Sequence, residues 1–305
     1  MSEPDREPAG TPWAAGRLSL GRRPRVLFGR TYEDHAIELD AFPPAGRVLC
    51  IAAAGDMAAA LVRAGHEVVA VDVNPAQLAY ARSRLHGGPV RTGTAEQVMG
   101  AGRTAVQAAL PEWRPARLEP FLRLSDPGQQ ALWWRARLDT PALRMLAAAG
   151  LRPGGALALA LRPAFRGVIP PRFDTVLLTR IARTVARHPN ATNPWAWRFL
   201  AGRECPAHED QPAAAEPASV RFVHADVAAH LEACEPGRYD AVTLSNVLDG
   251  PGAAFRERLR RAVRHAVRPG GIMVLRSFRE PASDPGRARD DRSMVWGVVC
   301  VRRIG

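Results

Sequence analysis

The first place this sequence could do chemistry is Asp72, which ends the apolar run Glu67–Val71 and is followed by Asn74-Pro75. A parallel βαβ unit binds its ligand at the carboxyl ends of its strands, beside the first helix N-terminus. A carboxylate there is placed to accept hydrogen bonds from two ribose hydroxyls. Upstream, Ala52-Ala53-Ala54-Gly55-Asp56 supplies the turn between strand and helix. A dinucleotide fingerprint needs three glycines, so that the backbone can approach a pyrophosphate closely. One glycine disfavours NAD and favours a nucleoside without phosphates, of which S-adenosylmethionine (SAM) is an example.

The elements that must position these groups are legible around them. Val48–Ala52 is too short for a helix and rich enough in β-formers for a buried strand. A helix follows from Asp56 and stops at Ala64-Gly65. Glu67–Val71 is the second strand. Asn74 is an N-cap and Pro75 the first residue of a second helix, which runs to Leu85.

Bulk properties bound the rest. The 305 residues carry a formal net charge of +12. All 42 basic residues are arginine, which excludes Schiff-base lysine chemistry and the Walker-A loop. With abundant Ala, Pro and Gly, this charge reads as coding bias as readily as a functional surface. No zinc-finger spacing or RNA-binding aromatic signature is present, so nucleic acid is not expected as a partner. Cys50, Cys205, Cys234 and Cys300 form no C-x-x-C pair, the usage of a reduced, cytoplasmic protein. No run reaches the ~18 apolar residues of a membrane span, which leaves at most peripheral membrane contact. The oligomeric state is open.

VLCIAAAGDMAAAL followed by AVDVNPAQLAYARSRL resembles the BtaA family of SAM:diacylglycerol 3-amino-3-carboxypropyl transferases. The similarity continues elsewhere. Phe28-Gly29-Arg30 with Glu33-Asp34 resembles a family segment that precedes the first strand and closes over the cofactor. Thr192–Ala196 with Ala201-Gly202-Arg203 resembles another, and Asp291, Arg292, Ser293, Trp296 and Gly297 a third. One departure is plain. The family has Asp-His-Met-Asp-Trp after the fourth strand, whereas this chain has Asn246 and Gly250 at the His and Trp positions and keeps Asp249.

The expected fold is α/β, a Rossmann-like class I SAM-dependent transferase core (residues 25–88 and 220–305). A large, mostly helical insertion or lid (89–219) separates strands two and three, and a mobile leader covers 1–24. Within the insertion, helices are expected at Thr94–Met99, Leu118–Leu124, Gln129–Leu138 and Pro141–Ala149. A longer one begins near 174 and breaks at His188-Pro189, another follows Asn193-Pro194, and a Pro/Ala/Glu linker covers 204–218. Leu151–Gly155 looks like the Arg-Pro-Gly-Gly lead into a core strand, but the phrase at Val267–Gly271 follows a convincing fourth strand, so the first is assigned to the insertion. Core strands are expected at Val220–His224, Tyr239–Leu244, Ile272–Ser277 and Met294–Val301, with an amphipathic Arg-rich helix at Ala253–Ala266 presenting a solvated face. Trp113, Trp133, Trp134, Trp195 and Trp197 either build an acceptor pocket in the lid or form its own core.

The resemblance implies SAM as co-substrate, held by Tyr32, Glu33, Ala54, Gly55, Asp56, Asp72, Val73, Gln77, Asp226, Val227, Ser245 and Asn246. Asp226 ends strand three, where a carboxylate commonly holds the adenine amino group. The implied reaction joins the 3-amino-3-carboxypropyl group to a hydroxyl, either the glycerol of a diacylglycerol or the phenol of a secondary metabolite. Arg276 and Arg292 are candidate clamps for the methionine carboxylate, because arginine pairs with carboxylates through two bonds. Asp249 and Asp291 are candidate bases. Methyl transfer is an alternative, as is a non-catalytic SAM-binding or regulatory protein.

Overall fold

The computed structural model describes residues 25–161, 170, 172–208 and 220–305. The expected leader lies outside the described residues, as does most of the expected linker.

Six strands form one sheet: β1 (Arg47–Ile51), β2 (Glu67–Asp72), β3 (Val220–His224), β4 (Tyr239–Thr243), β5 (Val267–Ser277) and β6 (Val298–Arg303). Their order is β3-β2-β1-β4-β5-β6. All neighbours are parallel except β5 and β6. This is a mixed α/β architecture compatible with a Rossmann-like fold. The strand order reverses between β1 and β4, and in open α/β sheets ligands bind outside the carboxyl ends at such a switch point.

Helices α1 (Ala36–Ala41), α2 (Asp56–Arg63) and α3 (Pro75–Leu85) surround the first two strands in the chain. Asn74 caps α3 by accepting from the backbone of Ala76 and Gln77, with Pro75 at the first position. Gly55 begins α2 at φ 87°. A β-carbon there would lie 2.7 Å from Leu85 Cδ1, so glycine serves both the left-handed turn and the close approach of α3.

Between β2 and β3 the chain forms α4 (Thr94–Ala109), α5 (Pro115–Leu122), α6 (Pro127–Trp133), α7 (Pro141–Leu161), α8 (Phe173–Val185) and the short α9 (Pro194–Ala196). Helix α6 continues as a π-turn through Leu138, and α9 as another through Ala201. The chain breaks between α8 and α9 around Pro189, and Asn193 caps α9. Helix α7 runs straight through Pro153-Gly154-Gly155, so that phrase leads into no strand. After β3 come α10 (Val227–Glu232) and α11 (Ala253–Ala266).

Three apolar clusters hold this arrangement. Ile37, Met57, Leu61, Leu78, Leu85 and Trp296 pack on one sheet face. Val227, Leu231, Leu259 and Val263 pack on the other. Trp113, Leu118, Phe121, Trp134, Leu138 and Trp197 form a separate centre among the helices after β2. Two strand ends differ from expectation. β5 starts at Val267 and includes its Pro-Gly-Gly, absorbed by a register shift opposite Tyr239–Ala241. β6 starts at Val298 because Met294, at φ 71°, turns the chain out of extended geometry. No helix among the described residues is long and apolar enough to cross a membrane.

Candidate functional site

A cavity of about 450 Å³ opens at the carboxyl ends of the parallel strands. Asp72, Val73, Asn74 and Gln77 line it beyond β2, Ala225, Asp226 and Val227 beyond β3, and Ser245, Asn246 and Val247 beyond β4. Leu27 and Phe28 from the segment before β1, and Ala254, Phe255 and Arg258 from α11, close its sides. The size suits a small-molecule ligand, and mostly apolar walls with a few convergent polar groups are the usual composition of such sites.

Asp72 is fixed by two backbone amides. Ala53 N–H donates to Oδ2 at 3.2 Å and Asn74 N–H to Oδ1 at 2.9 Å. Burial nevertheless pushes its carboxyl up to about 6, against the pull of these two bonds. Asp226 caps α10 through Oδ1, which accepts from Ala229 N–H at 2.9 Å and lies 3.4 Å from Arg258 Nη1. Gln77 acts as a staple. Its Oε1 accepts from Leu27 N–H at 2.8 Å, and its Nε2 donates to the carbonyls of Phe28 at 2.9 Å and Ala53 at 2.6 Å. That holds the Leu27-Phe28 wall against the turn after β1.

Thus Asp72, Val73, Gln77, Asp226, Val227, Ser245 and Asn246 share one cavity. Ala54, Gly55 and Asp56 do not line it. Asp56 is occupied with the segment before β1, accepting from Thr31 N–H at 2.7 Å and pairing with Arg84 at 3.0 Å. This covers the start of α2. Tyr32 is likewise away from the cavity, with its hydroxyl pushed upward by burial and by Glu96. Glu33 is buried and accepts from Ser245 Oγ, so it touches a cavity residue without lining the cavity itself.

The expected clamps and bases do not line this cavity. Arg276 is completely buried. Its guanidinium binds Glu38 through both terminal nitrogens, Asp291 at 3.2 Å and the Asp34 carbonyl at 3.1 Å. Burial opposes its charge, yet Glu38, Glu33 and Asp291 hold it protonated well above the ordinary arginine value. All three of its guanidinium nitrogens are thus engaged by protein oxygens. Arg292 pairs with Asp34 at 2.6 Å and lies over the Trp195 ring at 5.1 Å. Asp291 is buried in the Arg276 cluster, and burial raises its carboxyl. Asp249, also buried, accepts from Ser277 Oγ at 2.6 Å, Phe278 N–H at 2.9 Å and Asn246 Nδ2 at 3.4 Å. Neither aspartate lines the cavity.

None of the five tryptophans between β2 and β3 lines it either. Trp113, Trp134 and Trp197 belong to the apolar centre of that helical block, with Trp133 packed against it. Trp195 donates to the Thr31 carbonyl at 3.2 Å. The sequence reading missed Phe255 and Arg258. Their i, i+3 spacing on α11 was the available signal, since it puts both on one helix face. No family model, curated protein or solved structure matches the chain.

Proposed function

We propose that this chain is an SAM-dependent transferase that moves the 3-amino-3-carboxypropyl group onto a hydroxyl acceptor. The observation that carries the nucleoside part is Asp72, held between the amides of Ala53 and Asn74 at a strand end inside a largely apolar cavity. Asp72 would accept the two ribose hydroxyls. Val73, Val227 and Phe255 offer apolar contact to a base, with Asp226 toward β3 as acceptor for its amino group. When bound, SAM supplies carbons activated by its sulfonium. The chain's own residues fix the nucleoside and wall it from water behind Leu27 and Phe28.

On this reading residues 25–88 and 220–305 are a class I core, and 89–219 is an insertion between its second and third strands. The sheet order with a final antiparallel strand supports that division. The choice of the aminocarboxypropyl group rests on the similarity to the BtaA family. Asn246 reaches the cavity and Asp249 stands behind it, so Asp249 would act on an acceptor through Asn246. The acceptor is a phenolic metabolite or a lipid glycerol, and the protein is cytoplasmic.

Methyl transfer is a second reading, favoured by the engagement of Arg276 and Arg292 with protein carboxylates. Mass spectrometry of the nucleoside product separates the two. Methylthioadenosine marks aminocarboxypropyl transfer, and S-adenosylhomocysteine marks methyl transfer. Failure of SAM, S-adenosylhomocysteine and adenosine all to bind in calorimetry would reject both.

A further inference from the structure

The end of the cavity at β4 has an electrostatic character that the nucleoside reading leaves unused. Glu33, Glu38 and Asp291 converge on the single guanidinium of Arg276. Glu38 takes bonds from both of its terminal nitrogens and Asp291 takes its Nε. Glu33 sits 3.7 Å from Nη1, close enough for attraction but not for a hydrogen bond. Asp34 is matched separately by Arg292. Arg183, from α8, opposes the charge of Asp291 from outside the cluster. One carboxylate is therefore in excess, and Glu33 is the least compensated.

Glu33 is also the carboxylate bonded to a cavity wall. Its Oε1 accepts from Ser245 Oγ, and Ser245 lines the cavity with its backbone at φ 51°, an unusual conformation for serine. The groups facing Glu33 are Arg276 from β5, Glu38 from α1, Asp291 from the loop before β6, Ser245, and the Cys50 thiol of β1. Arg276 is the one cation among them, and Glu38 and Asp291 already hold it.

Position gives this excess a use. Ser245 follows β4, two strands across from Asp72 in the order β2-β1-β4. At strand spacings of ~4.8 Å, the two lie about 10 Å apart. With a ribose diol on Asp72 and its base toward β3, the 5′ substituent extends toward Ser245.

We propose that the β4 end of the cavity accepts a cationic group, ammonium or sulfonium, and that Glu33 gives up a proton when this cation docks against Ser245. The inference rests on the nucleoside reading and adds a charge requirement to it. A buried carboxylate whose charge is only partly compensated is costly, and burial favours its protonated form. Burial does raise the Glu33 carboxyl. A ligand cation replaces that proton.

The test compares SAM with methylthioadenosine, which keeps the nucleoside and sulfur but carries no cation, by titration calorimetry in two buffers of different ionisation enthalpy at a series of pH values from 5 to 8. Both probes carry the ribose, so any proton exchange at Asp72 cancels in the difference. SAM should release up to one more proton per site than methylthioadenosine. Its advantage in affinity should fall as pH is lowered, because the proton on Glu33 then competes with the cation. Glu33→Gln should remove the excess release while methylthioadenosine still binds. Equal proton release by the two probes in the wild-type protein overturns the inference, and so does an excess that survives in Glu33→Gln. If that variant does not fold, the wild-type comparison decides. If neither probe binds, the nucleoside reading fails and this one with it, an outcome distinct from equal release.

Discussion

Arg292 and Asp34 face each other through two parallel bonds, Nε to Oδ2 at 2.6 Å and Nη2 to Oδ1 at 2.7 Å. The pair ties the segment before β1 to the loop before β6, and Asn193 Nδ2 donates to the Arg292 carbonyl at 3.1 Å, adding the helices after β2. Burial would raise the Asp34 carboxyl, but the bonds from Arg292 outweigh it and the net shift is downward.

A lowered carboxylate stabilises the fold above its unfolded-state value near 3.8, and that contribution is lost as pH falls through the still lower folded value. Asp34→Asn should therefore destabilise the protein at neutral pH, by about 2–4 kcal/mol given the buried carboxylate and half-exposed arginine. The loss should shrink as pH falls below 3.8 toward the lower folded value, because there the unfolded chain takes up a proton that the paired carboxylate resists. Urea melts at pH 7 and pH 3 measure this, and an equal loss at both would remove the ionic explanation.

Arg276→Met tests whether Arg276 is structural. Removing the guanidinium leaves Glu38, Asp291 and Glu33 together without their cation, a change of the class that costs about 3–5 kcal/mol or more. The expected outcome is loss of folded protein in thermal melts. A folded variant of near wild-type stability that loses only turnover would restore the role of ligand clamp.

Why Arg276 read as a ligand group in the sequence is instructive. Its place at the C-terminal end of a strand is the same whether it faces a ligand or a buried carboxylate. Its main partner, Glu38, lies 238 positions away on a six-residue helix whose pattern carries no sign of the pairing. By contrast, Asp72 and its surroundings were legible because the signals are local. Asn74-Pro75 caps a helix through bonds to residues two and three positions on, and the two strands are short apolar runs beside it. The continuation of α7 through Pro153-Gly154-Gly155 was not expected, because proline and glycine mark breaks locally and tertiary packing can override that preference. Phe255 and Arg258 were read as part of a solvated helix. Only the placement of α11 beside the cavity reveals their face.

Asp72 should impose a pH limit on nucleoside binding. With its carboxyl raised to about 6, it is ionised at pH 7 and able to accept from two hydroxyls. Below about 6 it carries a proton and loses part of that capacity. Adenosine affinity should fall by up to tenfold per pH unit there. Asp72→Asn should bind more weakly at pH 7 and lose this dependence. Calorimetric titrations between pH 5 and 8 check both. A flat profile in the wild-type protein would mean that Asp72 does not contact the ligand.

Phe255 and Trp134 separate binding from support. Phe255 borders the cavity from the first turn of α11, whereas Trp134 is 1% exposed in the apolar centre of the helices after β2. Phe255→Ala removes a flat apolar contact to the base, worth about 1–3 kcal/mol where bases stack on aromatic rings. Nucleoside affinity should fall about 5- to 150-fold, with little change in melting temperature. Trp134→Ala should do the reverse. It opens a cavity costing about 3–5 kcal/mol of stability, while the folded fraction binds nucleoside as before. The two variants, compared by thermal melts and calorimetry, make opposite entries in the two measurements. If Trp134→Ala weakens binding in the folded fraction as much as Phe255→Ala does, the helical block contributes to the site directly and the assignment of Trp134 to that block's own core is wrong.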